Sequence, residues 1–414
     1  MRILYTIGIW FYTLGIRVAA AFGHEKARQM VQGWKEVPTA LAHLSEDRPT
    51  VWFHAASLGE FEQARPVLEA YRQRHPGHQV LVTFFSPSGY EVRKNYQQAE
   101  AVCYLPPDLP SSVRSFAGHL KNLHAVFFVK YEFWYNYLGH LHRRGVPTYI
   151  FSAIFRPRQY FFSWYGGWFR NQLQDCFTHI FVQNDESLQL MRTNGICHCS
   201  VAGDTRFDRV HQIVQAAEGD AIVERFIDGY DGKVLVAGST WPPDEQLLAR
   251  LRGCKEWFPG RIIIAPHQIH EEHLRSIEAL FPDSIRYSSL TTHHSPLITK
   301  RVLIIDNIGL LSKLYRYATV AYIGGGFGVG IHNILEAVAF GKPVVFGPNY
   351  RKFQEAHDII ALGGGMTVGE HSDVSFLRKL FTDEAVYSAS SDACLQLMRR
   401  NLGSTDIILN TIEH

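Results

Sequence analysis

Five glycines between Gly324 and Gly330, in the run YIGGGFGVGIHNILEAVAFGKPVVFGP from Tyr322 to Pro348, mark where this chain is best equipped to hold an anion. A loop so poor in side chains lets backbone N–H groups come close to a phosphate, and the helix expected next would aim its partially positive end at the same point. Asn333 and Glu336, three residues apart, are expected to share one face in that helix's first turn. A carboxylate suits phosphate poorly but accepts hydrogen bonds from paired ribose hydroxyls, so Gly325, Gly326, Asn333 and Glu336 together point to a nucleotide. The plain alternative is a glutamate that only complements its helix dipole. Two familiar glycine motifs fail on spacing: no register of residues 324–330 reads G-x-G-x-x-G, and Gly341-Lys342 is followed by Pro343 where a P-loop needs Ser or Thr.

A second constellation, Phe53-His54-Ala55-Ala56-Ser57-Leu58-Gly59-Glu60, leaves an apolar strand, turns through small residues and enters a helix over 60–74. A carboxylate at such a junction is favoured by the helix dipole and, if ionised, is placed to act as a general base. The alternative role for Glu60 is to stabilise its helix and nothing more. The next junction, Phe84-Phe85-Ser86-Pro87-Ser88-Gly89, offers Ser86 and Ser88 either as sugar or anion contacts or as plain helix caps. Residues 131–169 are dense in aromatic rings, with Arg156, Arg158 and Arg170 among them. Rings interleaved with cations suit lipid headgroups or an acylated, phosphorylated acceptor, although about half of these rings belong to a core.

The elements that must carry these residues are legible in outline. At 414 residues, 46% hydrophobic and 19% charged, the chain is a folded protein too long for one core, so two domains are expected. A formal net charge of +2 argues against a nucleic-acid protein held by phosphate attraction. From Thr50, short apolar runs alternate with helical stretches, with strands expected at 51–54, 79–84, 101–104, 124–129, 147–151, 179–183 and 199–202. After a polar interruption they resume at 233–237, 261–265, 302–305, 319–323 and 343–346. That rhythm is the pattern of α/β domains with parallel sheets, whose ligands bind beyond the carboxyl ends of the strands. The expected division is a membrane-associated helix over 1–25, an acceptor-binding domain over 26–205, a linker over 206–232 and a nucleotide-sugar domain over 233–414.

Residues 3–22 are apolar and aromatic apart from Arg17. They approach the length of a membrane span, but a charge costs about 2.5–3.5 kcal/mol at a bilayer centre and less near the interface. The segment reads as a helix retained at the membrane, with Lys26, Arg28 and Lys35 keeping the rest on the cytoplasmic side. The alternative is an amphipathic helix packed on the protein's own core. Six scattered cysteines do not form a compact disulfide framework and fit a reducing compartment. Neither Cys197-His198-Cys199 nor His267, His270 and His273 has convincing metal-ligand spacing; Pro266 reads as a helix start, which would fan those three rings apart.

Taken in order, the hydrophobic N-terminus, HAASLGE, FFSPSG, YLPPDLP, YEFWYN, the RFD at Arg206, GST, APHQ, GGGFGVGIHNILEA and FGP with Phe353 resemble the Kdo transferases of lipopolysaccharide biosynthesis. The resemblance implies a GT-B glycosyltransferase at the inner membrane, two facing Rossmann-like domains with a cleft between them. It implies inverting, metal-independent and cofactor-free transfer of 3-deoxy-D-manno-octulosonic acid (Kdo) from CMP-Kdo to a lipid A precursor, with no nucleic-acid partner. Glu60 would be the base and Arg206 would stand where the family carries a transition-state Lys. Asn333 and Glu336 would hold CMP, with Pro266, His267, Gln268, Ile308, Gly309 and Leu310 closing around it; Ser57, Ser86, Ser88 and Glu132 remain acceptor-side candidates. Three departures stand out: His267-Gln268 where the family has Arg-His, Lys130 in place of the first of two acidic residues, and Ile331 in place of a glycine.

Overall fold

The structure, a computed structural model, describes residues 1–254, 256–258, 260–292, 300–369 and 374–413. The chain forms two units, Met1–Arg209 with Leu402–His414, and Val210–Asn401. The first is built on β1 (Thr50–Ala55), β2 (Gln79–Phe84), β3 (Ala101–Tyr104), β4 (Leu123–Val129), β5 (Thr148–Ala153), β6 (His179–Val182) and β7 (Cys199–Val201). They make one parallel sheet in the order β3-β2-β1-β4-β5-β6-β7. Its strand order reverses between β1 and β4, so the loops after these two strands part to opposite faces and leave a crevice.

β1 reads TVWFHA and is buried at every position, as a strand covered on both faces must be. Val51 and Phe53 turn to one face, against Phe61, Val67 and Leu68 of α3 (Leu58–Arg74). Trp52 turns to the other. There it meets a layer from α2 (Glu25–Leu41), α5 (Pro110–Gly118) and α6 (Tyr135–Arg143), including Leu41, Phe116 and Leu138. α4 (Pro87–Arg93) follows β2. α1 (Arg2–Ala21) is different: among its residues only Thr13 is buried, and Ile3, Leu4, Ile7, Trp10 and Phe11 are exposed. Its first turns are fastened to this unit by the Tyr5 hydroxyl, which donates to Asp108 at 2.7 Å, and by Arg2 Nε, which donates to Asn136 at 3.1 Å.

In the second unit β8 (Val234–Thr240), β9 (Arg261–Pro266), β10 (Ser284–Arg286), β11 (Val302–Ile304), β12 (Val320–Ile323), β13 (Val344–Phe346) and β14 (Gly365–Thr367) form a parallel sheet in the order β10-β11-β9-β8-β12-β13-β14. The reversal falls between β8 and β12. All twelve expected strands are present; the short edge strands β10 and β14 were not expected.

The division of the chain differs from the expected one in two places. Residues 206–232 are mostly helical, as Arg206–Ala216 and Ala221–Ile227, and Val223 and Phe226 are buried. The last helix, Ser404–Glu413, belongs to the first unit: Ile408 and Leu409 join the core around α3, and Arg74 pairs with Asp406 and Glu413. Asp208 caps this helix by accepting from Gly403 N at 2.8 Å, Thr405 N at 2.7 Å and the Thr405 hydroxyl at 2.7 Å. Asp208→Ala removes all three bonds, so urea unfolding of the first unit is expected to lose about 1–2 kcal/mol. An unchanged midpoint would mean that the cap does not hold the helix.

Candidate active site

Glu60 lies beyond the carboxyl end of β1, at the crevice between β1 and β4. Ser57 is the N-cap of α3 and accepts from Glu60 N, while Glu60 Oε2 accepts from Ala56 N at 2.6 Å. This is a capping box displaced by one residue, so the dipole-stabilising role is real. It also fixes the carboxylate: Oε2 is engaged, and Oε1 has no donor among the described residues. Burial, followed by the charge of Glu132, pushes the Glu60 carboxyl up to about 7, against the Ala56 amide and Lys130, which lower it. The rise has two causes: burial takes the group out of water and a second carboxylate faces it.

Glu132 comes from the loop after β4. Its Oε2 accepts from Trp134 Nε1 at 2.7 Å and lies 3.1 Å from His54 Nε2. His54 is fully buried, and its Nδ1 is 2.8 Å from Thr83 Oγ1, which accepts from Trp52 Nε1 at 2.7 Å. Thr83 has its own hydrogen to offer Nδ1, the arrangement in which Nε2–H donates to Glu132, and Trp134 Nε1 also lies 3.1 Å from Nε2. Lys130, with φ of 58°, holds the left-handed conformation at the end of β4, a strained state for a residue with a side chain.

Arg206 opens the helix Arg206–Ala216 and is bound to Asp204, through Nε at 2.8 Å and Nη2 at 2.7 Å. Burial would raise the Asp204 carboxyl, but Arg206 and Lys130 hold it below its usual range. The expected lone cation is therefore half of a buried ion pair. Ser86 N donates to Ala56 O at 2.9 Å, which ties the loop after β2 to that after β1. The Ser86 side chain makes no cap bond; its hydroxyl lies 2.8 Å from that of Ser88. Ser57, Glu60, Ser86, Ser88, Glu132 and Arg206 thus all lie on loops or first helical turns at the carboxyl edge of one sheet. The sequence reading missed His54, Lys130 as a working charge, Trp134 and Asp204, although the first three lie inside or beside motifs it singled out.

In the second unit the glycine loop leaves β12 at the sheet's reversal. The helix after it is only Leu335–Val338, so an anion site on its first turn is not what the loop provides. Asn333 precedes the helix; its Oδ1 accepts from Leu335 N at 3.1 Å and its Nδ2 donates to Glu336 at 3.2 Å. Several glycines have packing reasons. A Cβ on Gly324 would stand 2.2 Å from Ser239 O and one on Gly326 would stand 2.5 Å from Gly347 Cα, while Gly325 has φ of 91°. The Gly325 amide is spent on buried Asp244, which accepts it at 3.0 Å and also accepts Tyr322 OH at 2.7 Å and Trp241 N at 2.9 Å.

Pro266 ends β9 and does not start a helix. His267 stacks on Trp241 with ring centres 4.7 Å apart and lies 4.6 Å from His332. His270 caps the helix Glu271–Leu280, and buried His273 lies 3.0 Å from Glu245 and donates from Nδ1 to Gln268 O at 2.9 Å. The three histidines thus have three separate tasks. Ile308 and Gly309 form an exposed turn, Gly309 with φ of 98°, before Leu310 leads into the helix Leu311–Leu314.

With this geometry in hand, comparison with known proteins is informative. A family model described as 3-Deoxy-D-manno-octulosonic-acid transferase (kdotransferase) matches residues 30–209, which hold every acceptor-side candidate. A "3-deoxy-D-manno-octulosonic acid transferase" of Bordetella pertussis is 27% identical over 391 residues, covering 88% of this chain and 86% of that protein. The protein of the same name from Aquifex aeolicus is 25% identical over 336 residues, 80% of this chain and 85% of its own. The chain is similar to the Kdo transferases over most of its length. Among solved structures, UDP-GlcNAc 2-epimerase from Neisseria meningitidis bound to UDP-GlcNAc aligns with a TM-score of 0.62 at 15% identity, covering 88% of this chain and 99% of that one. MurG of Acinetobacter baumannii aligns with a TM-score of 0.53 at 13% identity, with the same coverage. At such identities these two speak for the fold, an α/β GT-B architecture.

If Glu60 serves as a base, its raised carboxyl has two measurable consequences. A base must be deprotonated, so kcat/KM is expected to climb as pH rises through about 7, and Glu132→Gln, which removes a repelling charge, should move that limb to lower pH. A limb at the same pH in both proteins would remove Glu132 from the account. Because the folded value lies above the ordinary one of 4.5, Glu60 contributes stability below that pH and loses it as pH rises through about 7. Glu60→Gln is therefore expected to be more stable than the parent above neutrality, by about 1–3 kcal/mol, and the gain should vanish in acid.

Proposed function

We propose that the chain transfers Kdo from CMP-Kdo to a hydroxyl of a lipid A precursor, with inversion and without a metal. The observation that carries this reading is Glu60, a carboxylate with one oxygen pinned by an amide, the other unengaged, and a proton affinity matched to neutral pH. In the reaction the acceptor hydroxyl adds to the anomeric carbon of Kdo as the bond from that carbon to the CMP phosphate oxygen breaks. The hydroxyl proton passes to Glu60 Oε1, and the leaving electron pair stays on the CMP phosphate.

The second unit is the donor-binding half in this reading. Asn333 and Glu336, joined to each other, offer an amide and a carboxylate for ribose hydroxyls, and the loop around Gly326 and Gly328 offers backbone. The stacked Trp241 and His267 lie at the same carboxyl edge, and His267 there replaces a permanent cation by a group with a titratable ring. In the first unit Lys130 and the Arg206–Asp204 pair set the field around Glu60. The acceptor is a membrane lipid, which fits α1: a helix of 20 residues with mean hydropathy 1.4, long and apolar enough to cross a bilayer. We place it at the inner membrane with the catalytic units on the cytoplasmic face.

The test is transfer by the purified full-length protein from CMP-Kdo to lipid A precursor, read by mass spectrometry. The product should gain the mass of one or more Kdo units. Glu60→Gln should lower turnover by about a hundredfold or more while CMP still raises the melting temperature. Stabilisation by UDP and not by CMP would instead assign the protein to a UDP-sugar reaction, and full activity of Glu60→Gln would remove the base.

A further inference from the structure

Between Ile3 and Phe22 the only charge is Arg17, and an arginine within an apolar membrane helix is costly unless it has somewhere polar to go. The structure shows where it goes. Arg17 lines an open cavity of about 790 Å³ beside Lys35 of α2 and the hydroxyls of Ser112 and Ser115 on α5, with Trp34 and Phe116 as apolar walls. No carboxylate lines this cavity, and neither Arg17 nor Lys35 has an acidic partner among the described residues. Glu36, next to Lys35, faces elsewhere and accepts from Gln32 at 2.8 Å. The Trp34 ring is pinned by its Nε1 donating to Leu105 O at 3.1 Å.

The cavity opens by Pro106 and Pro107, which follow the edge strand β3, and it shares no lining residue with the Glu60 cluster. Two exposed cations with no acidic partner among the described residues, set beside Ser112 and Ser115, suit an anion; the apolar walls and the exposed flank of α1, with Leu14 and Val18, suit a hydrocarbon beside it. A free phosphate would leave those apolar surfaces in water. We propose that this cavity binds the phosphate headgroup of an anionic glycerophospholipid, whose acyl chains run along the exposed flank of α1. The proposal rests on the membrane association argued above and goes beyond it, because it selects a lipid class and a site separate from that of the acceptor.

The experiment uses the full-length chain in two settings. In non-ionic detergent, native mass spectrometry should show a one-to-one adduct with phosphatidylglycerol and none with phosphatidylcholine. On vesicles, flotation should favour phosphatidylcholine containing about 30 mol% phosphatidylglycerol over phosphatidylcholine alone by roughly tenfold or more, about what two cations near an anionic surface supply. The double variant Arg17→Gln, Lys35→Gln should lose both the adduct and most of the preference yet still bind phosphatidylcholine vesicles. The control Lys26→Gln, Arg28→Gln removes equal charge outside the cavity and should keep the adduct. An adduct that survives in the cavity variant, is lost equally in the control, or is displaced by equimolar inorganic phosphate would overturn the proposal. Failure of the parent protein to bind either vesicle would count against membrane association itself, while the detergent measurement would still decide the lipid site.

Discussion

The burial of Glu60 beside a second carboxylate, Glu132, is the constraint on which the rest of this cluster depends, burial first and the facing charge second. Two carboxylates at the parting of β1 and β4 would separate or share a proton if they were free to move. Neither is free. Glu60 is held by the Ala56 amide inside its own capping box, and Glu132 is held by Trp134 and by His54. His54 is in turn oriented through Thr83 and Trp52, deep in the sheet. Hydrogen bonds that run from buried Trp52, Thr83 and His54 out to the part-buried Glu132 thus link packing of the first unit to the setting of Glu60. The Ala56 amide and Lys130 lower its proton affinity without cancelling the rise, which leaves the Glu60 carboxyl at about 7.

The glycine loop shows the opposite economy, in which backbone and not side chains is the scarce resource. Gly324 and Gly326 are glycines because neighbouring backbone, at Ser239 and Gly347, comes too close for any Cβ. Asp244 then consumes the Gly325 amide together with those of Trp241 and the Tyr322 hydroxyl, so a single buried carboxylate locks β8, β12 and the loop in one arrangement. The loop's backbone is thus tied down by its own protein contacts. Preorganisation of this kind is what a site for a leaving phosphate needs, since donors that are already fixed cost no reorganisation as charge develops.

The sheets were the most legible part of the sequence, because parallel strands buried on both faces need only an unbroken apolar run, such as LHAVFFV or RIIIAP. β10 and β14, reading SIR and GMT, have no such run and depend on neighbours for their definition. Glu60, Glu132, Arg206 and the glycine loop were legible by position, at the carboxyl ends of strands. Their states were not. The raised Glu60 carboxyl needs Glu132 in space, 72 residues away in sequence, and the neutralised Arg206 needs the rotamer that folds it onto Asp204. The helix after the glycine loop was read too long because LEAVAF has helical periodicity, whereas Gly341, with φ of 67°, and the turn before it end the helix after one turn. The last helix was assigned to the wrong unit because its apolar face, with Ile408 and Leu409, says that it must pack but not on what.

α1 bears on the chemistry as well as on attachment. Its Tyr12 ring stacks over Phe85, with centres 6.3 Å apart and planes 19° from parallel, and Phe85 packs at 5.1 Å on Trp134. Trp134 is the residue whose indole N–H holds Glu132 against Glu60. Phe85 also immediately precedes Ser86, whose amide ties to the Ala56 turn. The exposed apolar helix therefore passes along the rim on which Glu60 sits. For a soluble substrate such a neighbour would be a liability, an apolar face beside a polar site. For an acceptor whose reacting hydroxyl is attached to acyl chains it is an asset, because the chains stay with the helix while the headgroup reaches the loops. Each aromatic contact is worth only about 0.5–1.5 kcal/mol, so α1 is not held there by these rings alone. The Tyr5–Asp108 and Arg2–Asn136 bonds at its start supply the remaining restraint, and they fix the end of the helix that lies nearest the docked face of the unit. Position, more than energy, is what α1 contributes: it sets an exposed apolar face beside the loops that carry Glu60.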